Sequence, residues 1–221
     1  MKNKITLDDE RIVYLKGKDK RLAVVFGLIG DICYETHEDG YKFIVGEIVE
    51  QMLSVKAADK IRGRLAGLCN GAITPKSIAG LTVDDLRGIG ISRGKSLYIL
   101  NFTEAVRSKA IALDEIKNMD DADAMAKLMG LKGIGSWTAK MYLLFVLERE
   151  NILPYEDGAF LQAYRWLYST RKTKPEDIIK RCRKWEPYSS IASRYLYRAL
   201  DGGLTKIPFK TYLEGNDAVL A

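Results

Sequence analysis

The chain has 221 residues, enough for one large domain or two smaller lobes with a buried core. Its 35 Lys and Arg residues outnumber 29 Asp and Glu residues, and the net charge of +6 favours a polyanion as partner. The basic excess is concentrated in residues 165–184, where eight basic residues stand against two acidic ones. Such a run is equally consistent with a solvated helix face.

The three cysteines exclude one class of metalloprotein. Cys33, Cys69 and Cys182 lack metal-ligand spacing and are too few for the four-cysteine ligation of an iron–sulfur cluster. We therefore expect buried free thiols and no metal. No secretory signal opens the sequence, and no apolar run approaches the roughly 18 residues that cross a bilayer. The expectation is a cytoplasmic protein.

Apolar residues recur at helical spacing along most of the chain and few segments alternate, which predicts an all-α fold. Glycine and proline residues mark the ends of the helices, because they free the backbone or remove an N–H group. In chain order the predicted helices are 20–34, 41–54, 56–70, 74–80, 83–87, 92–112, 122–129, 137–148, 158–167, 175–182 and 189–200.

Residues 121–148 are predicted as two helices joined by the turn Leu-Lys-Gly-Ile-Gly at residues 131–135, with Ser136 as the cap of the second helix. Gly133 and Gly135 lack side chains, so the backbone can approach a ligand closely. Backbone N–H groups and the positive end of the second helix then form a phosphate site that reads no bases. A lone Gly-x-Gly is also typical of a plain tight turn.

An internal echo accompanies this turn. Residues 86–90 read Leu-Arg-Gly-Ile-Gly and residues 131–135 read Leu-Lys-Gly-Ile-Gly, and Lys95 and Lys140 each stand nine residues after the leucine. The echo indicates two tight turns between helices, although a short match in a glycine-containing turn also arises by chance.

The sequence Gly-Ile-Gly-Ser-Trp-Thr-Ala-Lys at residues 133–140, which precedes an apolar helix, resembles the hairpin of the helix-hairpin-helix DNA glycosylases, especially the 3-methyladenine glycosylase II group. The resemblance continues through residues 41–65, 86–106, 154–157 and 185–188. It implies an all-α core of two helical lobes with a cleft between them, without the amino-terminal β domain that some members carry.

The resemblance also implies the lobes and the contacts. One lobe is expected at 37–151 with the hairpin, and the other at 1–36 plus 152–221 with the catalytic residue. No cofactor is required, and a monovalent cation at the hairpin backbone is the one ion that we expect. The predicted DNA contacts of the hairpin are Leu131, Lys132, Gly133, Ile134, Gly135, Ser136 and Thr138.

In this family the catalytic aspartate follows the hairpin by one helix and one loop in a Pro-x-x-Asp context, and Asp157 occupies that place. Breaking an N-glycosidic bond builds positive charge on the deoxyribose, so an anion fixed beneath the sugar stabilises the transition state. The dipole of the predicted helix 158–167 favours the ionised form of Asp157. The alternative is that Asp157 is only a helix cap.

Bifunctional relatives carry the lysine that attacks the sugar two residues after the second hairpin glycine, where this chain has Trp137. The resemblance therefore implies a monofunctional glycosylase that flips out an alkylated base of the 3-methyladenine type and hydrolyses its N-glycosidic bond in base excision repair. Trp137 would stack on the cationic base, facing Asp157 across the cleft. The other predicted substrate-binding residues are Tyr142, Tyr188 and Met141.

Two rivals stay open at this point. One is an oxidised-base glycosylase with lyase activity that uses another lysine. The other is a non-catalytic helix-hairpin-helix module that binds DNA through the hairpin alone.

A flipped base leaves a gap in the duplex that an apolar side chain fills as a wedge. Met52 matches the family's wedge position. Gln51 is expected to contact the orphaned partner base, Ser54 to add a DNA contact, and Leu53 to pack inside. The expected partner is double-stranded DNA with a damaged base, bound by a monomer close to the nucleoid.

Overall fold

The computed structural model describes residues 2–214. The predicted all-α fold is confirmed, apart from one two-stranded sheet. Met1 and residues 215–221, which the sequence analysis assigned to the second lobe, lie outside the described residues. In chain order the elements are β1 (Lys2–Ile5), α1 (Glu10–Lys18), α2 (Lys20–Ile29), β2 (Ile32–Glu35), α3 (Gly40–Glu50), α4 (Val55–Leu68), α5 (Pro75–Ala79), α6 (Val83–Gly88), α7 (Arg93–Arg107), α8 (Leu113–Ile116), α9 (Asp121–Met129), α10 (Ser136–Phe145), α11 (Gly158–Tyr168), α12 (Pro175–Cys182), α13 (Ser189–Asp201) and α14 (Phe209–Glu214).

Capping side chains begin most of these helices. Within residues 2–214, nine helices follow a residue whose side chain accepts a hydrogen bond from a first-turn N–H group, and these residues are Asp9, Asp19, Asp39, Ser54, Thr74, Thr82, Ser92, Asp120 and Asp157. First-turn N–H groups have no partner inside the helix, so each cap contributes about 1 kcal/mol.

The predicted helix 20–34 is too long. α2 stops at Gly30, whose φ of 73° lies in the left-handed region that ends a helix. The chain then enters β2, which pairs antiparallel with β1 so that the buried Ile5 faces the buried Ile32. Periodicity missed both strands because each has only four residues and pairs with a distant segment.

Two compact units divide the described chain. Residues 2–36 and 148–214 form unit 1, which contains the sheet, α1, α2 and α11 to α14. Residues 37–147 form unit 2, which contains α3 to α10 and therefore the hairpin.

Residues 148–151, which the sequence analysis placed with the hairpin, belong to unit 1. Their acidic side chains pair with the amino-terminal segment of that unit. The Glu148 carboxylate accepts hydrogen bonds from the Asn3 amide at 2.9 and 3.1 Å, and the Arg11 guanidinium lies 2.7 Å from the Glu150 carboxylate. Such pairs between distant segments leave no local pattern, which explains the misplaced boundary.

The core of unit 1 forms where α11 and α13 pack together and against α2, around the buried Trp185 and Tyr164. The buried carboxylate of Asp19 accepts hydrogen bonds from the Trp185 indole at 3.0 Å and from the Tyr168 hydroxyl, and it lies 3.0 Å from the Lys184 ammonium. Burial alone would raise the pKa of Asp19, but these donors hold it below its usual value. Asp19 therefore links the start of α2 to the rest of the core.

The core of unit 2 forms around α3, which contacts α4, α7 and α10. α9 packs on α10, and α5 and α6 pack on α7. The facing sides are apolar, as the buried Ile44, Ile48, Ile99, Phe102 and Leu143 show. One core therefore supports both helices of the hairpin.

Two smaller expectations concern the cysteines and membrane crossing. Cys69 and Cys182 are buried free thiols, whereas Cys33 is exposed because it alternates with the buried Ile32 on β2. Within residues 2–214, no helix is long and apolar enough to cross a membrane.

Candidate functional site

The hairpin turn between α9 and α10 takes its shape from Gly133, whose φ of 93° lies in the left-handed region. A Cβ atom on Gly133 would lie 2.4 Å from the Tyr98 ring of α7. The next residue, Ile134, is buried, and its N–H group donates to the Leu131 carbonyl at 3.1 Å. The fold itself therefore requires a glycine at position 133, and the predicted contact of Gly133 with a ligand stays a prediction.

The second glycine has the opposite surroundings. Gly135 is the N-cap of α10 and Ser136 is its first helical residue, so the prediction that Ser136 caps the helix is wrong. Nothing lies within 4 Å of the place where a Cβ atom of Gly135 would stand, and no side chain caps this helix. The positive end of α10 thus opens onto space that an anion can enter, beside the exposed Lys132. Thr138 is buried, and its predicted contact with DNA stays a prediction.

The predicted pocket residues of α10 lie on different faces of the helix. Trp137 and Met141 stand four residues apart on one face; Trp137 is half-buried and Met141 is buried. Tyr142 points elsewhere, with its ring edge-on to Phe43 at 6.2 Å and its hydroxyl against Gly40. Burial raises the pKa of Tyr142 to about 12. Tyr142 is thus buried against α3, away from the face of Trp137 and Met141, and its predicted contact with a base stays a prediction.

The turn between α3 and α4 carries the predicted wedge residue, and we call residues 50–53 the wedge turn. The Leu53 N–H group donates to the Glu50 carbonyl at 2.9 Å, Gln51 has φ −43° and ψ 125°, and Met52 has φ 59°. These values define a type II β-turn, which favours glycine at the position that Met52 occupies. A left-handed φ is strained for a residue with a Cβ atom, and within residues 2–214 Met52 shares it with four other non-glycine residues: Asn70, Lys109, Glu148 and Ser169.

The apolar side chains of the wedge turn are exposed to solvent. The Met52 side chain is fully exposed, at 101%, and Leu53 is 39% exposed, so the expectation that Leu53 packs inside is wrong. Ser54 caps α4 by accepting the Ala57 N–H at 3.4 Å. The turn therefore presents two apolar side chains to solvent on a tightly defined backbone.

Gln51 links the wedge turn to the hairpin. Its side-chain amide donates to the Gly133 carbonyl at 3.0 Å. One amide proton is thus used inside the protein, and the predicted contact of Gln51 with the orphaned base stays a prediction for the remaining polar atoms. The two predicted DNA-contacting turns are directly joined within unit 2.

Asp157 lies in unit 1 as the N-cap of α11. Its Oδ1 atom accepts the Phe160 N–H at 2.8 Å, and its own N–H group donates to the Pro154 carbonyl at 2.9 Å. The side chain is half-buried. The cap that we weighed as the alternative is therefore present, and it fixes the carboxylate in one orientation, while the catalytic role stays a prediction.

Two serines that the sequence analysis missed hold the loop before Asp157. The Ser189 hydroxyl donates to the Asn151 side chain at 2.8 Å, and the Ser190 hydroxyl accepts the Ile152 N–H at 2.9 Å. Both serines are buried at the start of α13. The one signal in the sequence that could have revealed these serines is the pair of small hydroxyl residues in the first turn of an apolar helix.

Tyr188, a predicted substrate-binding residue, is half-buried at the N-cap of α13. Its ring packs edge-on against Tyr14, with ring centroids 5.4 Å apart. Its role toward a base stays a prediction.

The internal echo is real, but its register differs from the one that the sequence suggested. The residues equivalent to Gly133 and Gly135 are Gly90, which also has left-handed φ, and Ser92, which is also an N-cap. In the first turn the structurally equivalent residues therefore lie two positions later than the repeated letters suggest. As a result, Lys95 and Lys140 are not equivalent.

Within residues 2–214, no group of three His, Cys, Asp or Glu side chains is placed to hold a metal ion. The predicted monovalent cation would need backbone carbonyls instead. Two carbonyls of the hairpin, those of Leu131 and Gly133, already accept hydrogen bonds from Ile134 and Gln51. A cation site at the hairpin stays a prediction.

Comparison with known proteins identifies the class to which this fold belongs. Residues 45–187 match the model of the HhH-GPD superfamily of base excision DNA repair proteins, so the chain belongs to this superfamily. The family resemblance inferred from the hairpin sequence is thereby confirmed.

The names of individual relatives are more specific than that of the superfamily. A putative DNA-3-methyladenine glycosylase of Bacillus subtilis is 33% identical over 58% of this chain and 45% of its own length. The alkylbase DNA glycosidase-like protein mag2 of Schizosaccharomyces pombe is 29% identical over 84% of this chain and 90% of its own length. The chain therefore spans less than half of the first relative but most of the second.

Solved structures show the same arrangement of helices. The DNA-3-methyladenine glycosidase of Bacillus halodurans superposes with a TM-score of 0.83 at 30% identity, over 94% of this chain and 96% of that one. The 3-methyladenine DNA glycosylase Mag1 of Schizosaccharomyces pombe, in complex with abasic DNA, superposes with a TM-score of 0.78 at 25% identity, over 90% and 98%.

Proposed function

We propose that this protein is a monofunctional DNA glycosylase that removes alkylated bases of the 3-methyladenine type from duplex DNA in base excision repair. One observation carries the proposal: the family match at residues 45–187 includes both the hairpin and Asp157. The relatives named as DNA-3-methyladenine glycosylases support the choice of an alkylated base as substrate.

Asp157 is the proposed catalytic residue. When the bond between the base and C1′ breaks, the bonding electrons leave with the base and positive charge develops on the deoxyribose. The carboxylate stabilises this charge, water adds to C1′ and loses a proton, and an abasic site remains. The cap hydrogen bond at 2.8 Å supports the proposal because it holds the carboxylate in a fixed orientation before the substrate arrives.

The start of α10 is the proposed grip on the DNA backbone. The open space at Gly135 admits a phosphate oxygen to the positive end of the helix, and the exposed Lys132 adds a cation beside it. Because backbone donors read no bases, this grip suits an enzyme that searches all sequences. It makes duplex affinity depend on salt concentration.

Trp137 is the proposed platform for the flipped base. An electron-rich indole face prefers a base that alkylation has made cationic, and such contacts contribute about 0.5–2 kcal/mol. A cationic base is also a good leaving group, so no proton donor is needed. Met141, on the same face of α10, adds an apolar wall behind the indole.

Met52 is the proposed wedge that fills the gap left by the flipped base. Its full exposure at the tip of a type II turn supports this role. One hairpin and one aspartate suffice for one lesion, so we also propose that the protein acts as a monomer. Light scattering should then give a mass of 24.9 kDa in solution.

The substitution Asp157→Asn tests the catalytic assignment. Asparagine caps a helix as well as aspartate does, so the variant removes the charge and keeps the fold. Base release from methylated duplex DNA under single-turnover conditions should fall at least about 100-fold, while duplex affinity stays the same. Chromatography of the released bases measures the rate.

The matched control is Glu156→Gln, which neutralises the exposed neighbouring carboxylate. It should release bases at the wild-type rate. Full activity of Asp157→Asn, or an equal loss in Glu156→Gln, would refute the role of Asp157.

Borohydride trapping separates the monofunctional mechanism from the lyase rival. A monofunctional enzyme forms no Schiff base, so no covalent complex with damaged duplex should appear. A trapped complex would overturn this part of the proposal and would identify the lysine by mass spectrometry.

A further inference from the structure

We propose that Lys95 is a positioning residue that holds the wedge turn in its type II form and so keeps the Met52 side chain presented to DNA. The inference rests on the proposed function and adds a residue that touches neither DNA nor the reacting atoms. Three observations carry it: the hydrogen bonds of Lys95, the geometry of the turn, and the contacts of α7.

The Lys95 ammonium reaches from α7 to the end of α3. It donates to the Val49 carbonyl at 2.8 Å and to the Gln51 carbonyl. The Val49 carbonyl belongs to the last turn of α3, where carbonyls have no partner inside the helix and the dipole favours a cation. Burial lowers the pKa of Lys95, as expected for an ammonium partly removed from water.

The bond to the Gln51 carbonyl selects one form of the turn. Type I and type II turns differ by a flip of the central peptide, which here joins Gln51 to Met52. In the type II form, with ψ of Gln51 at 125°, the Gln51 carbonyl points to Lys95, and the flip would carry it away. The same flip would also release Met52 from its strained φ of 59°. Lys95 therefore opposes the relaxation that the strain favours.

The position of Lys95 is difficult to explain without this role. A lysine in the first turn of its own helix is repelled by the positive helix end. Three residues later on the same face, Tyr98 fills the space beside Gly133. One face of α7 thus braces both the wedge turn and the hairpin, and Gln51 joins the two.

The central test compares Lys95→Met with wild type. Met52→Ala should slow base release from methylated duplex about 10-fold to 100-fold, because the flipped state loses its wedge. Lys95→Met should cause a loss of similar size, because a catalytic group misplaced by about 1 Å can lose up to 100-fold in rate. Lys42→Met, at the opposite end of α3 and exposed, is the matched control and should keep the wild-type rate.

The double variant decides whether Lys95 acts through Met52. If it does, Lys95→Met adds little to the loss already caused by Met52→Ala, whereas independent effects would multiply. Lys95→Arg, which keeps charged N–H donors on a long side chain, should restore part of the rate. Multiplied losses, or a wild-type rate in Lys95→Met, would overturn the proposal.

A measurement without DNA separates this inference from the proposed function. In ¹⁵N relaxation of the free protein, residues 51–53 should change from an order parameter near 0.85 to below about 0.6 in Lys95→Met. Lys95→Gln serves as the second variant if Lys95→Met does not fold. A rigid turn whose backbone chemical shifts are unchanged in a folded variant overturns the inference even if bases are released. A mobile turn, or a rigid turn whose shifts show a flipped central peptide, supports it even if wild type releases none, an outcome that would end the proposed function alone.

Discussion

Two turns in unit 2 have the same backbone conformation but different expected roles. Gly90 and Gly133 both have left-handed φ, 103° and 93°, and each precedes an isoleucine that is 4% exposed. The third residue of each turn, Ser92 or Gly135, is the N-cap of the next helix. A left-handed glycine and a buried isoleucine thus make a compact joint between two helices.

The two turns differ in their N-cap residue. The Ser92 hydroxyl accepts the Lys95 N–H at 3.4 Å, so the start of α7 is capped by the side chain of its own N-cap residue. At the other turn Gly135 has no side chain, and the start of α10 opens onto empty space. The shape of the turn is therefore not what makes an anion site. In our proposal the missing cap makes it, because the capped turn has a side chain where the anion would bind.

The largest effect is expected for Gly133→Ala. A left-handed backbone costs a residue with a Cβ atom about 1–2 kcal/mol, and the overlap with the Tyr98 ring adds about 1–3 kcal/mol. Urea denaturation should show a loss of about 3 kcal/mol in the free energy of unfolding.

Gly90→Ala is the comparison for this prediction. A Cβ atom there meets Ile61 and Arg64 side chains at 3.6 Å or more, which is ordinary contact. The expected loss is therefore only about 1–2 kcal/mol. Equal losses for the two variants would mean that the Tyr98 contact does not set the two turns apart.

The next effect concerns binding. Gly135→Ser should convert the open turn into a capped one, since the hydroxyl accepts a first-turn N–H and fills the space for a phosphate. Duplex affinity should fall about tenfold, and the salt dependence should lose about one phosphate contact. Fluorescence anisotropy at several salt concentrations measures both, and unchanged values would place the phosphate elsewhere.

The smallest effect is expected for Ser92→Ala. Loss of the cap should lower the free energy of unfolding by about 1 kcal/mol. Duplex affinity and its salt dependence should stay at wild-type values, because the capped turn is assigned no phosphate. A weaker salt dependence in this variant would show that both turns bind DNA and would remove the distinction between them.

Much of the fold could be predicted locally. Apolar periodicity located most of the helices, since a helical face that packs on a core repeats every three to four residues. Asp157 was found as both a helix cap and the family's aspartate, and the cap is present. The predicted helix 41–54 ran through the wedge turn, whereas α3 ends at Glu50, and the sequence gives no sign of the left-handed φ of Met52.

The rest depended on partners far along the chain. Gly133 is required because Tyr98, from another helix, occupies its side-chain space. Tyr142 points into the core of unit 2 because α3 lies on that side of α10. Periodicity gives the faces of a helix but not which neighbour each face meets.

The sequence by itself determined the helical class and the hairpin, because short-range spacing and capping chemistry encode them, and its resemblance to known glycosylases pointed to the family and to Asp157. Only the tertiary structure decided which glycine the packing requires and which has open space beside it. It alone also showed that Lys95 reaches the wedge turn. The physical reason is that a side chain's role depends on the atoms within a few ångströms of it, and those atoms come from segments that the sequence keeps apart.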